Sequence, residues 1–175
     1  MDSAASGKLK LYVDEASQPS RAVLIFCELN GIEYEKVPVI IFKGQHLSEE
    51  FAKINLFKQV PAMQDGDLCL SQSHAILKYL HASRGCPDHW YPACPRKRAK
   101  VDVYLDWHHN FLRVGAGGFV FRTVFAPKIG MVFPEDEIKV VRKVLDRSIT
   151  TIDTVFLQTN KYICGSEITI ADLSC

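Results

Sequence analysis

Ser17 is the residue whose type and position most invite chemistry. It stands in a short polar turn, residues 14–18, between the apolar run Leu9-Lys10-Leu11-Tyr12-Val13 and a helical stretch opened by Pro19-Ser20-Arg21. A hydroxyl in the turn before a helix can donate a hydrogen bond to a bound thiolate, while the helix N-terminus adds favourable partial charge. Lowering a thiol pKa from roughly 8.5 by one to two units takes about 1.4 to 2.7 kcal/mol, which a charge-assisted hydrogen bond plus a helix dipole can supply without a general base. The competing reading is that Ser17 only caps the helix.

Other residues are weaker candidates. Ser73 opens a second helical stretch, where its hydroxyl and backbone N–H suit a carboxylate or simply a cap. His108 and His109 beside Trp107 invite a metal reading, but adjacent helix positions point about 100° apart and do not easily share one ion, so no metal site is expected. Six cysteines, Cys27, Cys69, Cys86, Cys94, Cys164 and Cys175, include no Cys-x-x-Cys pair. Most are expected to be buried reduced thiols.

The elements that must hold these residues alternate between strand-like and helical runs from residue 8 to 84, the mark of an α/β unit. After the first strand and helix, which is expected to turn Val23, Leu24, Cys27 and Ile25 inward and stop at Asn30-Gly31, residues 34–41 read as a second strand. Ser48-Glu49-Glu50-Phe51 opens a short helix, and Val60-Pro61-Ala62-Met63 begins a third strand. Asp65-Gly66 turns it back into Leu68-Cys69-Leu70, followed by a helix with Ile76, Leu77 and Leu80 on one face. The order is βαβαββα.

Residues 85–95 hold three prolines and a glycine and are expected to form a linker. Beyond it, residues 96–113 and 134–156 read as helices, the second with Ile138, Val141, Leu145, Ile149, Ile152 and Phe156 at spacings of three and four. Residues 96–175 are therefore expected to be all-helical. Thr169-Ile170-Ala171-Asp172 has the spacing of an N-terminal capping box, but too few residues follow for a stable helix, so this region is expected to be incomplete.

With 21 Lys plus Arg against 20 Asp plus Glu, the formal charge is +1, which gives no field to attract nucleic acid or anionic lipid. Residues 1–7 do not read as a signal peptide or myristoylation signal, and no run is long enough to span a bilayer. A cytosolic protein is the default expectation.

Several segments taken together resemble the glutathione transferase superfamily, and within it a plant-type theta-class glutathione S-transferase. They are Ser17-Gln18-Pro19-Ser20-Arg21-Ala22, Lys43-Gly44-Gln45-His46, Val60-Pro61-Ala62, Ser73-His74-Ala75-Ile76-Leu77-Lys78-Tyr79-Leu80, Asp88-His89-Trp90-Tyr91-Pro92, Arg96-Lys97-Arg98-Ala99-Lys100-Val101 and Leu105-Asp106-Trp107-His108. The resemblance implies a thioredoxin-like glutathione-binding domain over 8–84 and a partial helical domain over 96–175. It also places Ser17 and Ser20 where a thioredoxin-like reductase carries two cysteines, which excludes dithiol chemistry there.

By the same resemblance, Ser17 keeps the sulfur of glutathione ionised. Val60, preceding a cis-Pro61, pairs through its backbone with the cysteinyl part of the tripeptide. Ser73 holds the γ-glutamyl carboxylate, and His46, with Lys58 or Gln59, meets the glycyl carboxylate. Arg113 matches an arginine near the thiolate. Plainer readings stand beside these: a trans Pro61 at a strand start, a cap at Ser73, a surface loop at His46 and a solvated helix-end charge at Arg113.

One departure is Gln72, where the family usually carries a Glu that pairs with the γ-glutamyl ammonium. The amide keeps a hydrogen bond but loses the ion pair, a deficit of about 1 kcal/mol. The implied activity is attack of glutathione on small hydrophobic electrophiles or on organic hydroperoxides, with glutathione as co-substrate and no cofactor. The implied assembly is a homodimer in the cytoplasm, with peroxisomal or nuclear addresses open to full-length relatives. A protein that binds glutathione or apolar ligands without turnover is the alternative.

Overall fold

Period-two alternation decides which side of a sheet each strand residue faces, and the first strand states it plainly: Leu11 and Val13 are fully buried while Tyr12 between them is half-buried on the opposite face. The computed structural model describes residues 8–174. These divide into two compact units, 8–87 with Ser174, and Asp88–Leu173.

The first unit contains β1 (Lys10–Val13), α1 (Gln18–Leu29), β2 (Glu35–Pro38), α2 (Glu49–Ala52), β3 (Ala62–Asp65), β4 (Leu68–Ser71) and α3 (Ser73–Ser83). The sheet order is β2-β1-β3-β4. β1 runs parallel to β2 and antiparallel to β3, which pairs antiparallel with β4. This is the βαβαββα thioredoxin-like arrangement. Leu11 and its register partner Met63 lie on the same face as each other, and both are fully buried, as are Val23, Phe26, Ile76, Leu77 and Leu80 of the packed helices α1 and α3. On the other face Ala62 joins Val39 and Phe51, with Tyr12, Ile54 and Val60 packed around them.

The second unit is helical apart from an isolated bridge between Tyr162 and Gly165. It contains α4 (Pro95–Asn110), α5 (Gly118–Val120), α6 (Ala126–Lys128), α7 (Glu135–Thr151) and α8 (Ile170–Leu173), with π-helical turns at Arg113–Gly117, Phe121–Phe125 and Ile152–Leu157. Tyr104 and Trp107 pack against Phe156, at ring-centroid distances of 5.0 and 4.9 Å. No helix among the described residues is long and apolar enough to cross a membrane.

The structure corrects several expectations. Ile25 is 46% exposed, and Phe26 fills the core position on α1 instead. The extended run ends at Pro38 and gives way to a 3-10 turn at Ile41–Lys43. The helix expected to reach residue 113 breaks at Phe111, whose φ and ψ are −127° and −71°. The stripe along α7 buries Val141 but leaves Ile149 54% exposed. That helix passes into a π turn, and along the junction Ser148, Thr150 and Thr151 of α7 and Thr154 of the π turn bond their hydroxyls to carbonyls four residues back, a pattern that bends helices. Of the described cysteines only Cys27 is buried; Cys69 and Cys94 are exposed and Cys86 and Cys164 half-buried, and none of them is in a disulfide. Burial pushes the Cys27 thiol up to about 12. Cys175 and the segment 1–7 lie outside the described residues.

Candidate functional site

The strand register collects the candidate residues of the first unit at one end of the sheet. Tyr12 pairs with Ala62 and Ala62 with Ser71, while Val13 pairs with Pro38. The turn that carries Ser17 leaves the C-terminal end of β1. At that same edge Val60-Pro61 enters β3, Gln72-Ser73 leaves β4, and the loop with His46 leaves β2.

Ser17 is the N-cap residue of α1 by backbone geometry (φ −83°, ψ 118°), with Pro19 in the first turn, but its side chain makes no capping hydrogen bond. Its backbone closes the turn instead: Ser17 N donates to Asp14 O at 2.9 Å, and Arg21 N donates to Ser17 O at 3.1 Å. The residue is half-buried, with its hydroxyl uncommitted among the described residues. Ser20, one turn on, is fully buried, and its hydroxyl has no partner among the described residues.

The Val60–Pro61 peptide bond is cis. Val60 lies just outside the strand ladder, and no backbone hydrogen bond is made to its N–H or C=O among the described residues. Gln72 is the N-cap of α3 with φ +70°, a left-handed backbone that non-glycine residues adopt rarely, and its exposed side chain does not cap the helix. Ser73 begins α3 and is 9% exposed.

His46 sits in the 3-10 turn Gln45–Leu47, half-buried, with Nδ1 screened from solvent and unbonded. Lys58 has φ +52° and bends its ammonium back onto the same turn, donating to Leu47 O at 3.1 Å and to Glu49 Oε1 at 2.8 Å. That hydrogen bond and the adjacent positive charge lower the Glu49 pKa. Lys58 is thus already ion-paired, and Gln59 is exposed. Arg113 belongs to the second unit, where it is exposed at the start of the π turn Arg113–Gly117.

Two residues of the site's framework were not singled out by sequence reasoning. Asn55, 4% exposed, donates to Gln59 O at 2.7 Å and accepts from Phe57 N at 3.0 Å, so it shapes the loop leading to Val60. Asp14 accepts from Ala16 N at 2.9 Å and Ile41 N at 2.8 Å. The Asp-x-x-Ser spacing was a visible turn signal; the bond to Ile41, 27 positions away, was not.

The arrangement offers an uncommitted hydroxyl, an open backbone edge and a helix N-terminus at one sheet end, a layout suited to an extended anionic peptide. The chain is similar to known proteins. The family model for the glutathione S-transferase N-terminal domain matches residues 8–82. Glutathione S-transferase T1 of Arabidopsis thaliana is 46% identical over 170 residues, covering 95% of this chain and 69% of that protein. Glutathione S-transferase T3 of the same plant is 45% identical over 170 residues, but the chain spans only 29% of it. A crystal structure of human glutathione transferase theta-2, in complex with glutathione and an unknown ligand, superposes with a TM-score of 0.91 at 40% identity, covering 95% of this chain and 68% of that one.

Proposed function

The chain belongs to the theta class of the glutathione S-transferases, and from that premise we propose that it binds glutathione at the sheet end bearing Ser17, Val60 and Ser73 and transfers its thiolate to small hydrophobic electrophiles. The observation that carries this reading is the Ser17 hydroxyl: it heads α1, is half-exposed and makes no cap. A capping bond would fix the direction of the hydroxyl; this one makes none and can turn its O–H toward sulfur.

In the mechanism the hydroxyl donates its proton in a hydrogen bond to the glutathione thiolate, lowering the thiol pKa and releasing the proton to solvent. The sulfur attacks an electrophilic carbon, forming a C–S bond as the leaving group departs with its electron pair. With an organic hydroperoxide, sulfur attacks the terminal oxygen. The O–O bond breaks to give an alcohol and the sulfenic acid of glutathione, which a second glutathione converts to the disulfide and water. The chemistry needs glutathione as co-substrate and no further cofactor.

Val60 supplies a backbone N–H and C=O to the cysteinyl segment, in the manner of an added strand. Ser73 and the N-terminus of α3 receive the γ-glutamyl carboxylate, with Gln72 accepting from its ammonium. His46 and Gln59 meet the glycyl carboxylate, and Lys58 joins them by exchanging Glu49 for the ligand. Arg113 contributes positive charge toward the sulfur, a role supported by resemblance alone. A cytoplasmic homodimer is part of the same proposal.

Conjugation of glutathione to an electrophilic probe by this chain and by Ser17→Ala tests the proposal. The account expects kcat/KM to fall about tenfold or more in the variant, the equivalent of about 1.4 kcal/mol. Equal rates in both, at the uncatalysed background, contradict it and leave a binding protein.

A further inference from the structure

A turn of five residues has no intrinsic reason to hold one conformation, and fixing it costs backbone entropy. The turn before α1 nevertheless has a defined shape, to which Asp14 contributes through both its carbonyl and its side chain. All three free oxygens of Asp14 accept backbone N–H groups: its carbonyl from Ser17 at 2.9 Å, Oδ1 from Ala16 at 2.9 Å and Oδ2 from Ile41 at 2.8 Å.

The first closes the turn through the backbone, and the second holds it against the Asp14 side chain. The third ties it to the loop after β2, which Gln45 closes by accepting from Ile40 N through Oε1 at 2.7 Å. His46 follows directly in that loop. The surrounding charges pair among themselves: Lys36 with the Glu15 carboxylate, and Arg21 with the Glu15 carbonyl at 2.7 Å.

We propose that Asp14 is a positioning residue for the reaction, acting through Ser17. By holding the Ala16 and Ile41 N–H groups it fixes the direction from which the Ser17 hydroxyl meets the thiolate. This inference rests on the reading of Ser17 as the thiolate's hydrogen-bond donor. Asp14 does not touch the reacting atoms. Without its carboxylate the turn samples several conformers, and the time-averaged hydrogen bond to sulfur weakens. An Asn at this position keeps one acceptor oxygen and presents an NH₂ group that cannot accept the other N–H, so its effect is intermediate.

The test is the ionisation of bound glutathione, followed by the ultraviolet absorbance of its thiolate against pH at saturating glutathione. It compares the intact chain with Asp14→Ala, Asp14→Asn, Ser17→Ala and the double variant Asp14→Ala/Ser17→Ala. Circular dichroism checks the fold, and Asp14→Asn carries the comparison if Asp14→Ala does not fold. The expected result is a rise in thiol pKa of about half to one unit in Asp14→Ala, equivalent to roughly three- to tenfold less thiolate on the acid side, a smaller rise in Asp14→Asn, and no additional effect of Asp14→Ala once Ser17 is removed. An unchanged pKa in both Asp14 variants, or the same shift with and without Ser17, overturns the role of Asp14. Absence of any shift in Ser17→Ala alone sinks the reading of Ser17 and this inference with it.

Discussion

At the scale of single residues, two hydroxyls separated by three positions have different fates. Among the described residues Ser17 is half-exposed and uncommitted, whereas Ser20 is buried without a partner. The difference follows from α1 geometry: Ser17 lies in the turn outside the helix, while Ser20 lies inside its first turn on the face that also buries Val23 and Cys27. Gln72 has a backbone that few side chains accept and projects an exposed amide. If this amide faces the ammonium of glutathione, Gln72→Glu should restore an ion pair. Affinity for glutathione should rise about fivefold, corresponding to about 1 kcal/mol, as read by titration calorimetry. Unchanged or weaker binding would place the γ-glutamyl group elsewhere.

At the scale of elements, the helical unit depends on close approach as much as on apolar area. A Cβ added at Gly115 would lie 2.6 Å from Leu145 N and 2.8 Å from Leu145 Cα, atoms of the α7 backbone that no rotamer change can move away. Gly115→Ala is therefore expected to destabilise the protein by about 3 kcal/mol, at the upper end for overpacking, in chemical denaturation. A loss below about 1 kcal/mol would mean that the two helices separate easily. The first unit was largely legible in the sequence because its signals are local: alternation in β1, the Asp65-Gly66 hairpin, and the three-four spacing of Ile76, Leu77 and Leu80. The capping box was legible too, with Asp172 accepting from Thr169 N at 2.8 Å and Thr169 Oγ1 accepting from Ala171 N at 3.2 Å. The π turns and the break at Phe111 were not, because no local residue pattern announces them. The bonds of Asp14 to Ile41 and of Asn55 to Gln59 escaped notice for a similar reason: the sequence shows the acceptor or donor but not the partner that the fold brings to it.

At the scale of the whole molecule, proton uptake and release report both stability and function. His108 is buried on α4, and that burial, followed by the charges of His109 and Arg113, pushes its pKa from 6.5 down to about 4. The unfolded chain therefore takes up a proton first as the pH falls, so the contribution of neutral His108 is complete above 6.5 and is lost between 6.5 and about 4. Over that window it amounts to about 3 kcal/mol, and His108→Gln should lose that much less stability than the native chain on acidification. Parallel pH profiles for the two proteins would show that His108 carries no such penalty. If Ser17 keeps the bound thiol ionised, glutathione binding is a second proton-linked event, and it reports on Ser17 without any need for turnover. Calorimetric titration with glutathione at pH 7 in two buffers of different ionisation enthalpy counts the protons released on binding. If the bound thiol titrates near pH 7 rather than near 8.5, binding should release about half a proton in the native chain and close to none in Ser17→Ala. Equal proton release from both proteins would contradict the account.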